Sequence, residues 1–559
     1  MLIDEKQISD QNEIAECFNE YFSSIGSKIS DSIPESSVQF EQYLQGSFSN
    51  SFFLRDTCPS DIEKIIKSLK NTSGGEDGIP SSVLKSVSDI VATPLSYLFN
   101  NCFEIGYFPG KLKLARVVPI FKAGSKKNMN NFRPISILST ISKIFEKYLY
   151  EQFNLFINKY NIISQEQCGF REKTSTSVSI AKFLKNVVDS LDSGDYCIGV
   201  FLDLCKAFDV VDHEILLKKL EHYGFRGRVL SLIRSYLSDR VQYVSLGKAN
   251  STQRTNCIGV PQGSVLGPLF FILFINDIIH SSNSLLFNLF ADDTSIFCRG
   301  KNIEELYALC NSELQNVNSW IVANKLSLNN EKTVYILFSG KKSILNLPSL
   351  KISHSLISQV KTTKFLGIII DEKLSWIPQI NMVYSAISRT IGILFKIKFV
   401  LPKNILKLLY YSLVFPYLSY GIIFWGSAAN VHFNQIFLLQ KRAVRLITNS
   451  KFLDHTGPLF KSNSILKLTD IRKLEIGKFV YNDLEYRNIL DLSLSTAIHR
   501  YPTRFNLNFY IPRVRTELAK RFLRFQAVQL WNSLPENIQN SRTIDIFKYR
   551  LKLFLFQPY

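Results

Sequence analysis

Two adjacent aspartates inside an apolar run constrain this chain more than any other feature. The stretch is "NLFADDTSIF", Asn288 to Phe297. An apolar run of this length between polar clusters reads as a buried strand, a tight turn and a second strand. Asp292 and Asp293 then repel each other and lose hydration unless a cation lies between them. A divalent metal ion meets that demand; a solvated hairpin tip, where Asp is a common turn residue, is the other reading. In "VFLDLCKAFD", Asp203 closes another buried apolar strand. A strand-end Asp and an Asp pair on a hairpin can converge on neighbouring strands of one sheet. Three such carboxylates make an all-oxygen site, suited to Mg2+ or Mn2+ and ill suited to zinc. Paired ions of this kind activate an attacking hydroxyl and steady the leaving oxygen in phosphoryl transfer. Asp209, Asp212 and His213, just downstream, read as turn polarity and helix capping.

Charge points to the partner. The chain has 559 residues, 46% of them hydrophobic, which suits a globular protein of several domains and excludes a disordered one. Residues 1–376 hold 40 basic and 38 acidic side chains, whereas residues 377–559 hold 26 and 9, so +17 of the +19 net charge falls in the last third. Such an excess favours a polyanion, and nucleic acid over membrane, because no basic amphipathic helix or lipidation signal stands out. Clusters such as "KRAVRL", with Lys441, Arg442 and Arg445, have the spacing of a helix with a basic outer face. None of the nine cysteines forms a C-x-x-C pair, so neither a zinc site nor a disulfide framework is indicated, and a reduced intracellular compartment is expected. The opening "MLIDEKQISDQNE" is too charged for a signal peptide. "SVLGPLFFILFINDII" and "SLVFPYLSYGIIFWG" are interrupted by Pro, Gly or polar residues and read as core, not as membrane spans.

Along the chain, "NEIAECFNEYFSSIGSKI" predicts an amphipathic helix ahead of a looser linker, and Ser60 is placed to cap a following helix. "ARVVPIFKAGSKKNMNNFRPISIL" predicts two strands around a basic loop. Residues 141–192 read as mostly helical. "YCIGVFLDL" is a buried strand, "SVLGPLFFILFINDI" a buried helix, and "TVYILFSG" and "TTKFLGIII" are strands. From residue 377 onward the pattern is helical and basic, without a Gly-rich linker to mark a boundary.

"FLDLCKAFDVVDH", "GVPQGSVLGPLFFILFINDI" and "FADDT" in this order resemble the reverse transcriptases of non-LTR (LINE-type) retrotransposons, jockey-like elements in particular. "ARVVPIFKAG", "NFRPISIL", "QCGFREKTST", "NKLSLNNEKT" and "KFLGIIID" match in the same order, and the likeness runs through roughly residues 60–375 with a tail at "WNSLP". It implies an α+β right-handed polymerase: fingers, a palm with a small antiparallel sheet, and a helical thumb, followed by a helical basic C-terminal region. The implied divisions are 1–59, an N-terminal helix and linker; 60–375, fingers and palm; 376–470, thumb; and 471–559, the basic region.

The resemblance assigns roles. Asp203, Asp292 and Asp293 would be the catalytic metal ligands, for Mg2+ with Mn2+ as the alternative. Lys122 and Arg133 would grip the triphosphate, and Phe208 would gate the sugar's 2′ position. Gln262 and Gly263 would open the helix supporting template and nucleotide, and Lys332 would serve as a general acid toward pyrophosphate. Phe365, Leu366 and Gly367 would form the primer grip. Implied partners are an RNA template, a DNA primer or nicked target DNA, dNTPs and a ribonucleoprotein with the element's RNA, formed in the cytoplasm and acting in the nucleus, with no membrane. Where the family often has S-P-G-P-D-G, this chain has Ser73 to Gly78 as "SGGEDG". Such elements usually carry an endonuclease ahead of the polymerase, and "IAECFNEYFSSIG" is similar to the connector after it. Alternatives are an inactive or co-opted RNA-binding remnant, and an RNA polymerase or intron maturase on a related palm.

Overall fold

The computed structural model of the chain describes residues 2–3, 6–341, 347–353, 355–486, 488–494 and 508–556. The N-terminal amphipathic helix is α1 (Gln11–Asp31), begun by Asp10, whose side chain accepts from the Glu13 N–H. It turns Ala15, Phe18 and Phe22 onto Val117 and Val244, so this segment is packed against strands. The helix expected at Ser60 starts one residue earlier, at Pro59 behind Cys58, because Pro suits the first helical turn. β1 (Ala115–Phe121) and β2 (Phe132–Ile137) form an antiparallel hairpin around the basic loop. Then come α2 (Thr140–Lys159), α3 (Thr176–Ser193), β3 (Tyr196–Leu202) and α4 (His213–His222), the last capped by the Asp212 side chain as expected. β4 (Arg240–Leu246), α5 (Gly267–Phe274), β5 (Leu286–Phe290) and β6 (Asp293–Gly300) follow. α6 (Ile303–Ala323), β7 (Val334–Phe338), β8 (Thr362–Phe365) and β9 (Ile368–Asp371) complete the mixed part. The regular elements beyond it are helices among the described residues, including α7 (Ile377–Ile397), α8 (Asn430–Ile447) and α9 (Leu468–Tyr486).

One sheet has the order Ser358–Gln359, β7, β3, β6, β5. Its four longer strands pair antiparallel, while the short edge strand Ser358–Gln359 joins β7 in parallel. This sheet is a wall between two cores. Successive side chains on a strand point to opposite faces; β3 sends Ile198, Val200 and Leu202 into one core and Cys197 and Phe201 into the other. β6 does the same with Ile296 and Cys298 against Phe297. Burial on both faces explains why "YCIGVFL" is apolar throughout instead of alternating. The second core continues from Phe201 and Phe365 through Ile380, Ile387 and Val444 to Val528 and Phe547, and no break in packing falls at residue 376. β2, β1 and β4 form a second sheet with two short strands, Ala249–Asn250 and Arg254–Asn256, and in it β1 and β4 run parallel.

Cys298 on β6 and Cys310 on α6 form a disulfide, which cysteine spacing had not indicated. The two residues lie on a strand and a helix packed face to face, a relation that no C-x-x-C signature announces.

Candidate active site

The antiparallel register between β3 and β6 brings the aspartates together. Leu202 pairs with Thr294, so one step further along both strands Asp203 lies opposite Asp293. Asp293 itself pairs with Phe290 across the β5–β6 hairpin, which leaves Ala291 and Asp292 as the two turn residues. Ala291 has φ +54°, the left-handed geometry that tight hairpins demand at this position. A neighbouring segment holds this strained turn. Gln167 Oε1 accepts from the Ala291 N–H at 3.1 Å and from the Gly169 N–H at 2.7 Å. The Cys168 N–H donates to the Leu289 carbonyl at 2.7 Å. Gly169 is required there, because a Cβ would stand 2.2 Å from the Ala291 nitrogen.

The electrostatics follow from that convergence. The Asp292 and Asp293 side chains are solvent-exposed at the hairpin tip, yet protein surrounds their base. Burial pushes the Asp293 carboxyl up to about 6, and the neighbouring Asp292 and Asp203 charges push the same way. Asp292 is raised too, by burial first, with Asp203 adding to it. Lys122 and Arg133 pull both carboxyls down, so the β1–β2 hairpin holds its cations over the aspartates. Lys332 Nζ lies 3.8 Å from Asp203 Oδ2, with both side chains partly exposed. Its loop is tied to the strand end, where the Asn329 N–H donates to the Asp203 carbonyl at 2.8 Å.

Phe208 stacks one face on Phe271 at 4.5 Å between centroids, and Phe170, half exposed, meets it edge-on at 6.3 Å. Gln262 and Gly263 lie in the turn ahead of α5, which begins at Gly267. Gln262 Nε2 donates to Asp209 Oδ1 at 2.8 Å, and its carbonyl accepts from the Ser136 N–H at 2.7 Å. The close approach that Gly263 allows is to β2: a Cβ would stand 2.5 Å from the Ser136 oxygen. Of the three primer-grip residues, Phe365 is buried against Phe183 and Phe201. Leu366 and Gly367 form the β8–β9 turn, with φ +44° and +87°, and the Tyr420 hydroxyl donates to the Leu366 carbonyl.

Some supporting residues escaped sequence reasoning. Glu146, fully buried on α2, accepts from the backbone N–H groups of Val265 at 2.6 Å and Leu266 at 3.2 Å. It thereby fixes the turn that carries Gln262. A lone Glu in a helical pattern gives no signal of such a role. Gln167 and Gly169 did carry one, since "QCGF" is part of the family's pattern, but their target is visible only in space.

No group of three or more His, Cys, Asp or Glu among the described residues is gathered closely enough to hold a metal ion as it stands. The donor chemistry nevertheless fits Mg2+: hard carboxylate oxygens, crowded and under-neutralised. Mg2+ is ordinarily held by one or two carboxylates together with substrate phosphates and water, not by a closed protein cage.

Residues 124–370 match the family model described as reverse transcriptase (RNA-dependent DNA polymerase). The RNA-directed DNA polymerase from mobile element jockey of Drosophila melanogaster is 27% identical over 82% of this chain and 51% of its own length. The probable RNA-directed DNA polymerases from transposon BS and transposon X-element of the same organism are 28% and 27% identical, over 70% and 79% of this chain and 45% and 49% of their own lengths. The chain thus spans about half the length of the curated relatives it matches. Residues 124–370 thus match a reverse transcriptase domain, and most of the chain is similar to the RNA-directed DNA polymerases of jockey-like mobile elements.

Proposed function

We propose that the chain is an RNA-directed DNA polymerase, extending a primer 3′-hydroxyl with dNTPs on an RNA template. One observation carries this reading: the register brings Asp203 beside the Asp292–Asp293 turn under Lys122, Arg133 and Lys332. In this reading the sheet of β3, β5, β6 and β7 is the palm, and the sheet of β1, β2 and β4 belongs to the fingers. The helices of residues 376–470 are the thumb, and residues 471–559 are a basic extension. Residues 1–59 brace the fingers through α1.

Asp203, Asp292 and Asp293 would hold Mg2+, or Mn2+ in its place. The bound ions supply activation of the primer hydroxyl and stabilisation of the leaving oxygen. Lys122 and the Arg133 fork balance the triphosphate's charge, orienting the nucleotide for in-line attack. Lys332, beside Asp203, offers a proton to pyrophosphate as it leaves. Phe208, immobilised by Phe271, fills the space a 2′-hydroxyl needs and so favours deoxynucleotides. Leu366 and Gly367, at an exposed tip steadied by Tyr420, hold the primer end. The partners in this reading are the RNA template, a DNA primer or nicked target DNA, and a ribonucleoprotein with the element's RNA. No helix among the described residues is long and apolar enough to cross a membrane, and the proposed course runs from a cytoplasmic ribonucleoprotein to the nucleus.

The test is primer extension by the wild-type chain on matched RNA and DNA templates, with dNTPs or rNTPs and Mg2+ or Mn2+. Extension on RNA with dNTPs supports the reading. RNA binding without extension under any condition would favour a co-opted RNA-binding remnant instead.

A further inference from the structure

The turn between β3 and α4 holds a cation that none of these roles uses. Lys206 follows Asp203 by three residues and has a left-handed backbone, φ +47°. A side-chain-bearing residue keeps that conformation only where its surroundings enforce it. Its ammonium lies 5.4 Å from the centre of the Tyr21 ring. Tyr21 is on α1, and its hydroxyl donates to Asn130 in the basic loop between β1 and β2. The helix is pressed onto the turn, since a Cβ on Gly26 would stand 2.2 Å from the Asp209 carbonyl oxygen. One aromatic side chain therefore joins the loop that follows Lys122 to the turn that carries Lys206.

Lys206 is half-buried. Burial is the strongest influence on its ammonium and favours the neutral amine; Asp209 favours the charge, and Lys122, Lys332 and Arg133 oppose it. Asp209 is itself shared, since Gln262 already donates to its Oδ1. Lys122, Arg133 and Lys332 already face the carboxylates of Asp203, Asp292 and Asp293; with those carboxylates taken up by metal ions, a multiply charged anion is what balances the four cations. We propose that Lys206 is a further phosphate-binding cation of the incoming nucleotide's subsite and that Tyr21 of α1 is its positioning residue. The inference rests on the polymerase reading for the identity of the nucleotide, while the placement of Lys206 rests on its contact with the Tyr21 ring and on the strained turn.

The experiment uses the full chain and measures equilibrium binding of dTTP with Mg2+, primer–template affinity, and single-nucleotide incorporation. K206A is expected to weaken dTTP binding and raise its KM by about tenfold, with kcat changed less and primer–template affinity unchanged. K206R should recover most of the loss. Y21L should shift the KM in the same direction, and the double variant should be no worse than K206A alone, as expected for residues that act as one unit. Y21F, which keeps the ring over Lys206 but loses the bond to Asn130, should raise the KM less than Y21L does. An unchanged dTTP KM in K206A, an equal loss of primer–template affinity, or additive effects of Y21L and K206A would overturn the proposal. Lys206-dependent dTTP binding without any primer extension would overturn the polymerase reading and leave the phosphate site standing. Extension that is indifferent to K206A would do the reverse, and a wild-type chain that neither binds dTTP nor extends a primer would overturn both.

Discussion

Two of the tight hairpins among the described residues make different uses of the same backbone device. At Ala291–Asp292 a left-handed turn sets carboxylates over a buried sheet, and a separate segment, Gln167 to Gly169, braces it from below. At Leu366–Gly367 a left-handed turn leaves its tip largely open to solvent, held by one hydroxyl from the C-terminal helices. The difference is one of tolerance. The turn proposed to place charge is braced at its backbone while its carboxylates face solvent, and the turn proposed to rest against the primer has a single anchor. The contrast extends to the regions around them. The part with the sheets is nearly neutral, and the helical part from residue 377 carries +17: the proposed chemistry belongs to the first, and grip on a polyanion is expected from the second.

The most severe way to break the contrast is at Gly169. In G169A the new methyl meets the Ala291 backbone at 2.2 Å and must displace it. A shift of roughly 1 Å at a catalytic group costs on the order of 100-fold in rate, so primer extension should fall by about that much while RNA affinity holds. Near-wild-type extension by a folded G169A protein would show that the brace does not set the turn.

Next in size is the sugar gate. Phe208 is fixed against Phe271, so F208V opens space where a 2′-hydroxyl would clash. The preference for dNTP over rNTP should drop by about tenfold or more, measured as a ratio of incorporation efficiencies. An unchanged ratio would return Phe208 to a packing role.

The basic region gives a smaller, salt-dependent effect. Lys441, Arg442 and Arg445 have the spacing of one basic helix face, but the Arg445 Nε donates to the Asp454 carbonyl at 3.0 Å and its guanidinium covers Phe452. Arg442 is exposed and Lys441 half-buried. Neutralising those two should weaken RNA binding and shallow the log–log salt slope by about 1.4 if both touch single-stranded RNA, at roughly 0.7 per contact. Equal slopes in a salt titration would show that this face does not meet the backbone.

The mildest change sharpens the contrast between the two kinds of glycine. Gly392, inside α7, has nothing within 4 Å of where a Cβ would stand. G392A should therefore stabilise the fold by roughly 0.5–1 kcal/mol in denaturant unfolding, the opposite of what the same methyl does at Gly169. A loss of stability would mean that α7 is packed against something.

What the sequence made legible follows a physical division. Asp203, Asp292 and Asp293 were readable because charge at the end of an apolar run is costly and so stands out. The strands were readable because "YCIGVFL" and "TVYILFSG" are short apolar runs between polar boundaries. The supports were not: Glu146 bonds to residues more than a hundred positions away, and Tyr21 reaches its loop across a similar gap. Such pairings depend on how elements pack, which local pattern does not encode. The same reason hid the Cys298–Cys310 bond and the packing of α1 onto β4.

The measurement closest to the central claim is RNA-templated primer extension by D292N beside the wild-type chain, with folding checked by thermal unfolding and RNA affinity measured separately. The account predicts that extension is abolished, that RNA affinity is retained, and that thermal stability without metal is equal or higher, because a carboxylate crowded by Asp203 and by burial has been neutralised. Substantial extension by a folded D292N protein would contradict it.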